Sequence, residues 1–495
     1  MKYIIILPTQ LFEYNDIIED DTTIFLIEHP VYFTEYSYHK MKLVLHRATM
    51  RYYNDYLIDK YKCKVKYIEF NKKLDSVYKL LKNKDVHIYD PVEHMIEEEF
   101  KKISKKYNIN FIIYDTPLFL QTNKKLNEYM NSKKSLVHNS FYIWQRRELD
   151  ILIINNKPKG GKWSYDIKNR LPFPTNYKET FKVKKNKNKY ITEAKKYINK
   201  YFKNNTGEDE LYLPIDHKGV KNHFKDFIKK RINNFGPYED AMDENINFGN
   251  HSVLSPLMNI GLITPEYVIN KVIKMNIPIQ SLEGYIRQLI GWREYCRLLY
   301  KFKRIELEKP NHFNNKKKID ENIWYKGTEY TYIPPIDHLI KKTIKLGYLH
   351  HIERLMYIGN YMLITGIHPK EAFIWYQTMF LDSYHVFMYP NVYGMSQYSA
   401  GNIMMTRPYF SSSSYIDRMS NFRKKKNIYP KIIINNTELE WYEVWDCLYY
   451  NFINNNKSEF KKNYAISQQV SHWVNKTKSE QENILEIAKY YLRKY

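Results

Sequence analysis

Apolar residues arrive in two rhythms along this chain. Up to about residue 125 they come in short unbroken runs: Lys2–Leu7, Thr23–Ile27, Lys64–Phe70, Asp85–Tyr89 and Phe111–Tyr114. Runs of this length, rich in Ile, Val, Tyr and Phe, predict strands buried on both faces of a parallel sheet. Tyr38–Leu57 reads as a long helix between two of them. Strand–helix alternation at this spacing predicts a doubly wound α/β domain over residues 1–125. Ligands in such sheets sit at the carboxyl ends of strands, here near Pro8–Leu11 and Glu28–His29. From about residue 195 the apolar spacing becomes helical, with Val220–Asn233 amphipathic, and predicts a larger all-α domain over 196–495. Residues 126–195 read as a connection. It holds a helix, a turn at Gly160-Gly161, and the basic stretch Lys178–Lys196, expected to be a solvated linker.

One helical segment carries more than its core requires. Ile277–Tyr300 reads IPIQSLEGYIRQLIGWREYCRLLY. Ser281 is the expected N-cap, and Leu282, Ile286, Leu289 and Ile290 fall on one face. A plain amphipathic helix does not need Arg287 and Arg293 set among Tyr285, Trp292 and Tyr295. Guanidinium forks suit phosphate or carboxylate, and aromatic rings cover a flat ligand. The competing reading is a buried helix whose arginines pair with Glu283 and Glu294. Periodicity does not choose between the two.

Composition narrows the partners. The 495 residues carry a formal net charge of +24, and aromatics make up 16%, with 48 tyrosines. So basic a chain predicts a polyanionic partner, with nucleic acid the first expectation. Abundant Lys, Asn, Ile and Tyr together also fit a coding bias, which weakens that inference. Cys63, Cys296 and Cys447 fit no metal or disulfide spacing. No apolar run is long enough to span a membrane and Met1–Leu7 is too short for a signal peptide, so the expectation is a soluble intracellular monomer, in cytoplasm or nucleus.

Two further segments bear chemistry. Gly347–Pro369 begins a helix with His350-His351, and histidine is the side chain best able to exchange a proton near neutral pH. Adjacent helical residues point about 100° apart, so one of the pair can reach a given pocket. His251–Ile263 supplies Ser252, Ser255 and Asn259, short donors suited to a phosphate-bearing ligand.

The run Glu283-Gly284-Tyr285-Ile286-Arg287-Gln288, followed by Gly291-Trp292-Arg293-Glu294-Tyr295, resembles the flavin-binding signature of the cryptochrome/photolyase superfamily. The nearest branch is the prokaryotic (6-4) photolyases, the iron–sulfur bacterial cryptochromes and photolyases. Glu28–Tyr53, the Gly160–Arg170 connection, His251–Ile263, Trp375–Tyr384, Pro390–Gly401 and Arg407–Ser420 are similar in register. The resemblance implies an antenna-type α/β domain followed by an all-α FAD-binding domain. It implies FAD held by Ser252, Ser255, Asn259, Glu283, Arg287, Trp292, Arg293, Asn360, Asp382 and Asn391, with Arg354 approaching the flavin. It implies a lesion pocket formed by His350, His351, Tyr409 and Tyr415, with His351 the proton donor, and an electron path through Trp375, Tyr376 and Trp324.

Departures from the family are specific. Its Gly-Asp-Gln-Leu after the first strand reads Pro8-Thr9-Gln10-Leu11, and its acidic residue after the second is Tyr32; both bear on the lumazine antenna this domain can hold. A glutamate before Pro390-Asn391 is replaced by Met388. The four cluster cysteines fall at Pro335, Arg423, Lys426 and near Glu443, with Cys447 one turn away, so no iron–sulfur cluster is expected. Trp441, Trp445 and Tyr449 are expected to pack that space, and Arg423–Lys426 to form a solvated loop. The implied activity is light-driven repair of pyrimidine photoproducts, foremost (6-4) lesions, flipped out of UV-damaged DNA. The rivals are a cryptochrome-like photoreceptor without repair and a flavin-free DNA-binding protein.

Overall fold

Five parallel strands form the only sheet of more than two strands among the described residues. The computed structural model describes residues 2–133 and 135–494. The strands are β1 (Lys2–Ile6), β2 (Thr22–Ile27), β3 (Lys64–Ile68), β4 (Asp85–Tyr89) and β5 (Asn110–Tyr114), in the order β3-β2-β1-β4-β5. The order reverses at β1, whose partners are β2 and β4. Every residue of β2 is buried, as expected of a strand covered on both faces. Helix α1 (Lys40–Tyr61) crosses from β2 to β3 and ends on Lys62 in the left-handed conformation. Helix α2 (His94–Tyr107) follows β4.

The carboxyl edge of this sheet is closed. Tyr32 is buried and its hydroxyl lies 3.4 Å from Thr9 Oγ1. With Phe119, Tyr384 and Phe387 it lines a void of about 20 Å³, room for a single water. Gly261, in the left-handed region, brings the helical part against this face: a Cβ there would lie 2.9 Å from Leu11 N.

The connection is partly helical. Helix α3 (His138–Glu148) is followed by Gly160 and Gly161 at φ +78° and +80°, the expected turn. The linker expected over Lys178–Lys196 is partly corrected: from Lys189 onward it belongs to helix α4 (Lys189–Tyr201), which buries Ile191, Ala194 and Ile198 and packs on α1. Asn188 caps α4 by accepting from Ile191 N.

Beyond it the chain is helical, apart from the two-stranded ribbon Ile432–Ile434 and Thr437–Leu439. The amphipathic segment near 220 starts at His217, capped by Asp216, as helix α5 (His217–Lys230). Helix α6 (Ile279–Ile286) continues through a π-helical segment, Arg287–Arg293, into α7 (Glu294–Glu308). Leu282, Ile286, Leu289 and Ile290 are all buried, as their spacing predicts. Ser281 is not the cap. Pro278 holds that position, and the buried Ser281 hydroxyl donates to Asn233 O at 2.7 Å and accepts from Gly236 N at 3.0 Å. Gly284 admits the connection: a Cβ there would lie 2.8 Å from Asn169 Nδ2.

Trp441 and Trp445 are fully buried and Tyr449 nearly so. Arg423–Lys426 lies outside any helix or strand. Burial pushes the pKa of the Cys296 and Cys447 thiols up to about 12 and also raises that of Cys63, which disfavours free thiolates at all three.

Candidate functional site

A cavity of about 840 Å³ opens among the helices of the C-terminal part. That is the size of a small-molecule or cofactor pocket. Three π-helical segments supply much of its wall: Arg287–Arg293, Glu353–Gly359 and Tyr389–Ser396. A π turn widens the helix and re-aims its side chains, and such turns recur at functional sites. Two of them meet at Gly359, where a Cβ would lie 2.7 Å from Ser396 Oγ.

One stretch of wall is a polar chain. Ser255 Oγ donates to Asp382 Oδ2 at 2.6 Å, and Asn259 Nδ2 donates to Asp382 O at 2.8 Å. Arg354 Nη2 lies 2.9 Å from Asp382 Oδ1. Arg293 Nη1 donates to Asn259 Oδ1, while its Nε and Nη2 both reach Leu118 O at 3.2 Å. Phe119 and Phe387 flank this guanidinium at 4.9 and 4.7 Å. No carboxylate lies within ion-pair range of Arg293 among the described residues, because Glu294 turns away to accept from Leu120 N. Burial pushes the guanidinium down to about 10. A half-buried cation without an anionic partner is costly, and an anionic ligand in the cavity would relieve it.

Asn391 lines the same space, with Nδ2 donating to Phe387 O at 2.9 Å. Trp292 lines it too and stacks on His138 at 3.6 Å between centroids. Arg287 pairs with Asp166 at 2.9 Å and Glu283 at 3.2 Å, while its buried Nη2, 3.9 Å from Glu239 Oε2, has no hydrogen-bond partner among the described residues. Leu349, Leu355, Met356 and Met395 supply apolar wall, and Met388 stands where the family glutamate is expected. Buried cationic donors, amide groups and apolar faces together suit a flat, anionic ligand such as FAD.

Three of the ten proposed cofactor contacts lie outside the lining. Glu283 is buried behind Arg287, accepting from Tyr142 Oη at 2.8 Å and Tyr165 N at 2.9 Å. Asn360 is buried against Ser411, to which its Nδ2 donates at 3.0 Å. Ser252 offers its carbonyl to His223 Nε2 at 2.8 Å. Each positions a neighbour rather than facing the cavity.

His351 faces the cavity with 44% of its side chain open, and its Nε2 lies 3.6 Å from Asp240 Oδ1 and 3.9 Å from Glu239 Oε1. Enclosure by the fold acts to lower its pKa, but the Asp240 and Glu239 carboxylates outweigh that and hold it above the ordinary imidazole value. His350 is placed otherwise. It is buried outside the lining, stacks on His251 at 4.6 Å, and is kept neutral, its pKa well below normal through burial and the nearby Lys342. The pair therefore divides as helical geometry requires, and only His351 can offer a proton to the cavity.

Tyr409 and Tyr415 line the cavity with Arg170, Arg407 and Arg418, all three arginines exposed. From Tyr376, in the wall, ring contacts run inward: Trp375 lies 5.3 Å away and Trp324 5.2 Å beyond it. Trp375 Nε1 also donates to Trp324 O at 2.9 Å. Sequence reasoning did not assign Asp240, Glu239, Tyr348 or Cys296, all of which line the cavity. The acidic pair Glu239-Asp240 ahead of the histidines was the one available signal.

Residues 4–211 match the family model described as deoxyribodipyrimidine photo-lyase-related protein. A (6-4) photolyase of Agrobacterium fabrum is 29% identical over 412 residues, 82% of this chain and 80% of that protein. An uncharacterised protein of Acanthamoeba polyphaga mimivirus is 48% identical over 115 residues, 22% of this chain and 85% of that protein. Among solved structures, an archaeal photolyase from Sulfolobus tokodaii with two FAD molecules superposes with a TM-score of 0.56 at 14% identity, covering 100% of this chain and 99% of that one. Residues 4–211 thus carry the match to the deoxyribodipyrimidine photo-lyase-related family, and signature helix, five-strand sheet and helical cavity agree with a photolyase/cryptochrome fold over the whole chain.

Proposed function

We propose that the protein is an FAD-dependent photolyase acting on pyrimidine photoproducts in UV-damaged DNA, with (6-4) lesions its main substrate. The observation that carries the reading is the single cavity in which a half-buried Arg293 without a carboxylate partner and a carboxylate-flanked His351 both stand. The first suits an anionic flavin nucleotide and the second suits a substrate needing a proton.

Ser255, Asn259, Arg293, Arg354, Asp382 and Asn391 are the residues that would hold FAD, with Arg287 and Trp292 completing the wall. Those residues would hold reduced flavin, which would supply the electron for splitting the lesion under blue or near-UV light. Asp240 and Glu239 hold the His351 proton to higher pH than an ordinary imidazole, and His351 donates from Nε2 toward the cavity. Tyr409 and Tyr415 flank a base flipped from the stack, and Arg170, Arg407 and Arg418 hold the backbone phosphates. Tyr376, Trp375 and Trp324 form a path of ring contacts for electrons between the cavity wall and the interior. No antenna is assigned to the closed sheet edge, and no iron–sulfur cluster to a chain with three thiols.

The test is an absorption spectrum of the purified protein, then blue-light illumination with UV-damaged oligonucleotide and lesion-resolved chromatography. A flavin spectrum with loss of (6-4) product, abolished in His351→Ala, is the expected result. Photoreduction with every lesion intact would favour a photoreceptor instead. Met388, which puts a thioether in the wall where the family has a carboxylate, favours that second reading. A colourless protein would leave the flavin-free alternative.

A further inference from the structure

A second cluster of ligating groups lies away from the cavity, where the sheet region meets the helices. Glu93 and His94 stand at the start of α2. His385 begins the short helix His385–Met388, and Tyr300 projects from α7. Their ligand atoms converge. Glu93 Oε1 lies 2.8 Å from His385 Nδ1 and 3.3 Å from His94 Nδ1. Tyr300 Oη lies 2.5 Å from His94 Nδ1 and 3.0 Å from Glu93 Oε1. The carboxylate and imidazole donor atoms all fall within 4.8 Å of one another.

Those spacings are hydrogen-bond distances, and a bound ion would part the shorter ones by less than about an ångström. With metal–ligand bonds of about 2.0–2.2 Å, donors around a tetrahedral centre lie roughly 3.3–3.6 Å apart. The outer arrangement also fits. His385 Nε2 is 2.9 Å from Tyr36 Oη, so an Nε2–H donating to that phenol leaves the Nδ1 lone pair facing Glu93. A ligating histidine characteristically donates its other ring N–H in this way. Glu93 and His385 are buried, while His94 keeps 23% of its side chain exposed and leaves a way in for an ion.

We propose that Glu93, His94 and His385 form a binding site for a divalent first-row cation, with Tyr300 or a water in the fourth position. Two imidazoles and one carboxylate are a ligand set for Zn(II) or Fe(II) rather than for Ca(II) or Mg(II). Two ligands come from the start of α2 and one from the helical region, so a bound ion staples the two parts together. In the metal-free protein the same groups hydrogen-bond to one another.

The probe is zinc added to the chelator-stripped full chain, read by elemental analysis after dialysis and by thermal melting, with Co(II) as the spectroscopic stand-in. Wild type is expected to retain one equivalent, to melt higher with zinc than with chelator, and to give tetrahedral Co(II) bands on the red side of flavin absorption. Glu93→Gln and His385→Ala should each weaken binding at least tenfold, with circular dichroism reporting whether they fold. Tyr300→Phe should keep the stoichiometry, since water can take that place. His350→Ala should keep it too, because the other histidine group, His251, His350 and His351, is a separate cluster. Should a variant misfold, X-ray absorption of zinc-loaded wild type decides: a shell of nitrogen and oxygen with two imidazoles supports the site. No retained zinc in folded wild type, full retention in Glu93→Gln and His385→Ala, or loss in His350→Ala overturns it.

Discussion

Arg293 and Asn259 are joined by a 2.5 Å hydrogen bond from Nη1 to Oδ1, and the arginine has no carboxylate in ion-pair range among the described residues. A guanidinium held in this way among Phe119, Phe387 and a backbone carbonyl is poised for an anion. Charge-assisted hydrogen bonds contribute about 1.5–3 kcal/mol each. Arg293→Met should therefore weaken FAD retention by roughly ten- to a hundredfold, measured as flavin released on dilution. The flavin-free protein should lose little thermal stability, because the substitution also removes a poorly compensated, half-buried charge. Equal losses of folding and flavin would mean that the arginine is structural.

The carboxylates beside His351 set a second expectation. They raise its pKa, so the imidazolium is held to higher pH than an ordinary histidine and is lost as pH rises through the raised value. Asp240→Asn removes one of the two charges. The folded pKa then falls, and the alkaline limb of the repair rate against pH should move to lower pH. His351→Ala should cost more, about 10²–10⁴ in rate, the usual worth of a positioned acid. An unchanged pH profile in Asp240→Asn would exclude the carboxylate as the group that tunes the proton.

How much of this could be read in the sequence depends on how local each cause is. Ile4, Ile24, Phe25 and Leu26 are buried on both faces, so their strands announce themselves as short apolar runs. Ser281 misled because capping is a local rule, and here a distant turn, Asn233–Gly236, takes the hydroxyl. Ile191, Ala194 and Ile198 carried helical spacing, but the lysines around them hid it. The π segments left no local trace, since a widened turn depends on what packs against it. In the signature, Arg287, Trp292 and Arg293 do face the cavity. Glu283 lies one layer back because its carboxylate is spent on Arg287, Tyr142 and Tyr165, which a motif cannot reveal.

Trp375 is fully buried, and its ring meets Tyr376 on one side and Trp324 on the other. Each ring contact is edge to face, and the Tyr376 hydroxyl is anchored on Arg354 O at 2.5 Å. Trp375→Phe removes an oxidisable ring from the middle of the path while leaving the cavity wall in place. Photoreduction of bound flavin should slow by an order of magnitude or more, with flavin content unchanged, followed by illumination under anaerobic conditions with an external reductant. A large-to-smaller change at a fully buried site costs about 1–3 kcal/mol, so melting temperature should fall modestly. Photoreduction at the wild-type rate would show that electrons enter by another route.

The arginines at the cavity rim offer the last test. Arg407 and Arg418 are exposed, and each lies near a lesion-pocket tyrosine: Arg407 is 5.7 Å from the Tyr409 ring and Arg418 is 5.6 Å from Tyr415. Exposed cations beside aromatic faces suit phosphates flanking an extruded base. Each phosphate contact contributes about −0.9 to the slope of log K against log salt on duplex DNA. Arg407→Ala and Arg418→Ala should each weaken binding to damaged and undamaged duplex alike, and each should flatten that slope by about one. Tyr415→Phe should leave the slope unaltered, because it removes no charge. Binding that weakens without any change in slope would place these arginines outside the phosphate contacts and assign their effect to the Tyr409 and Tyr415 rings they cover.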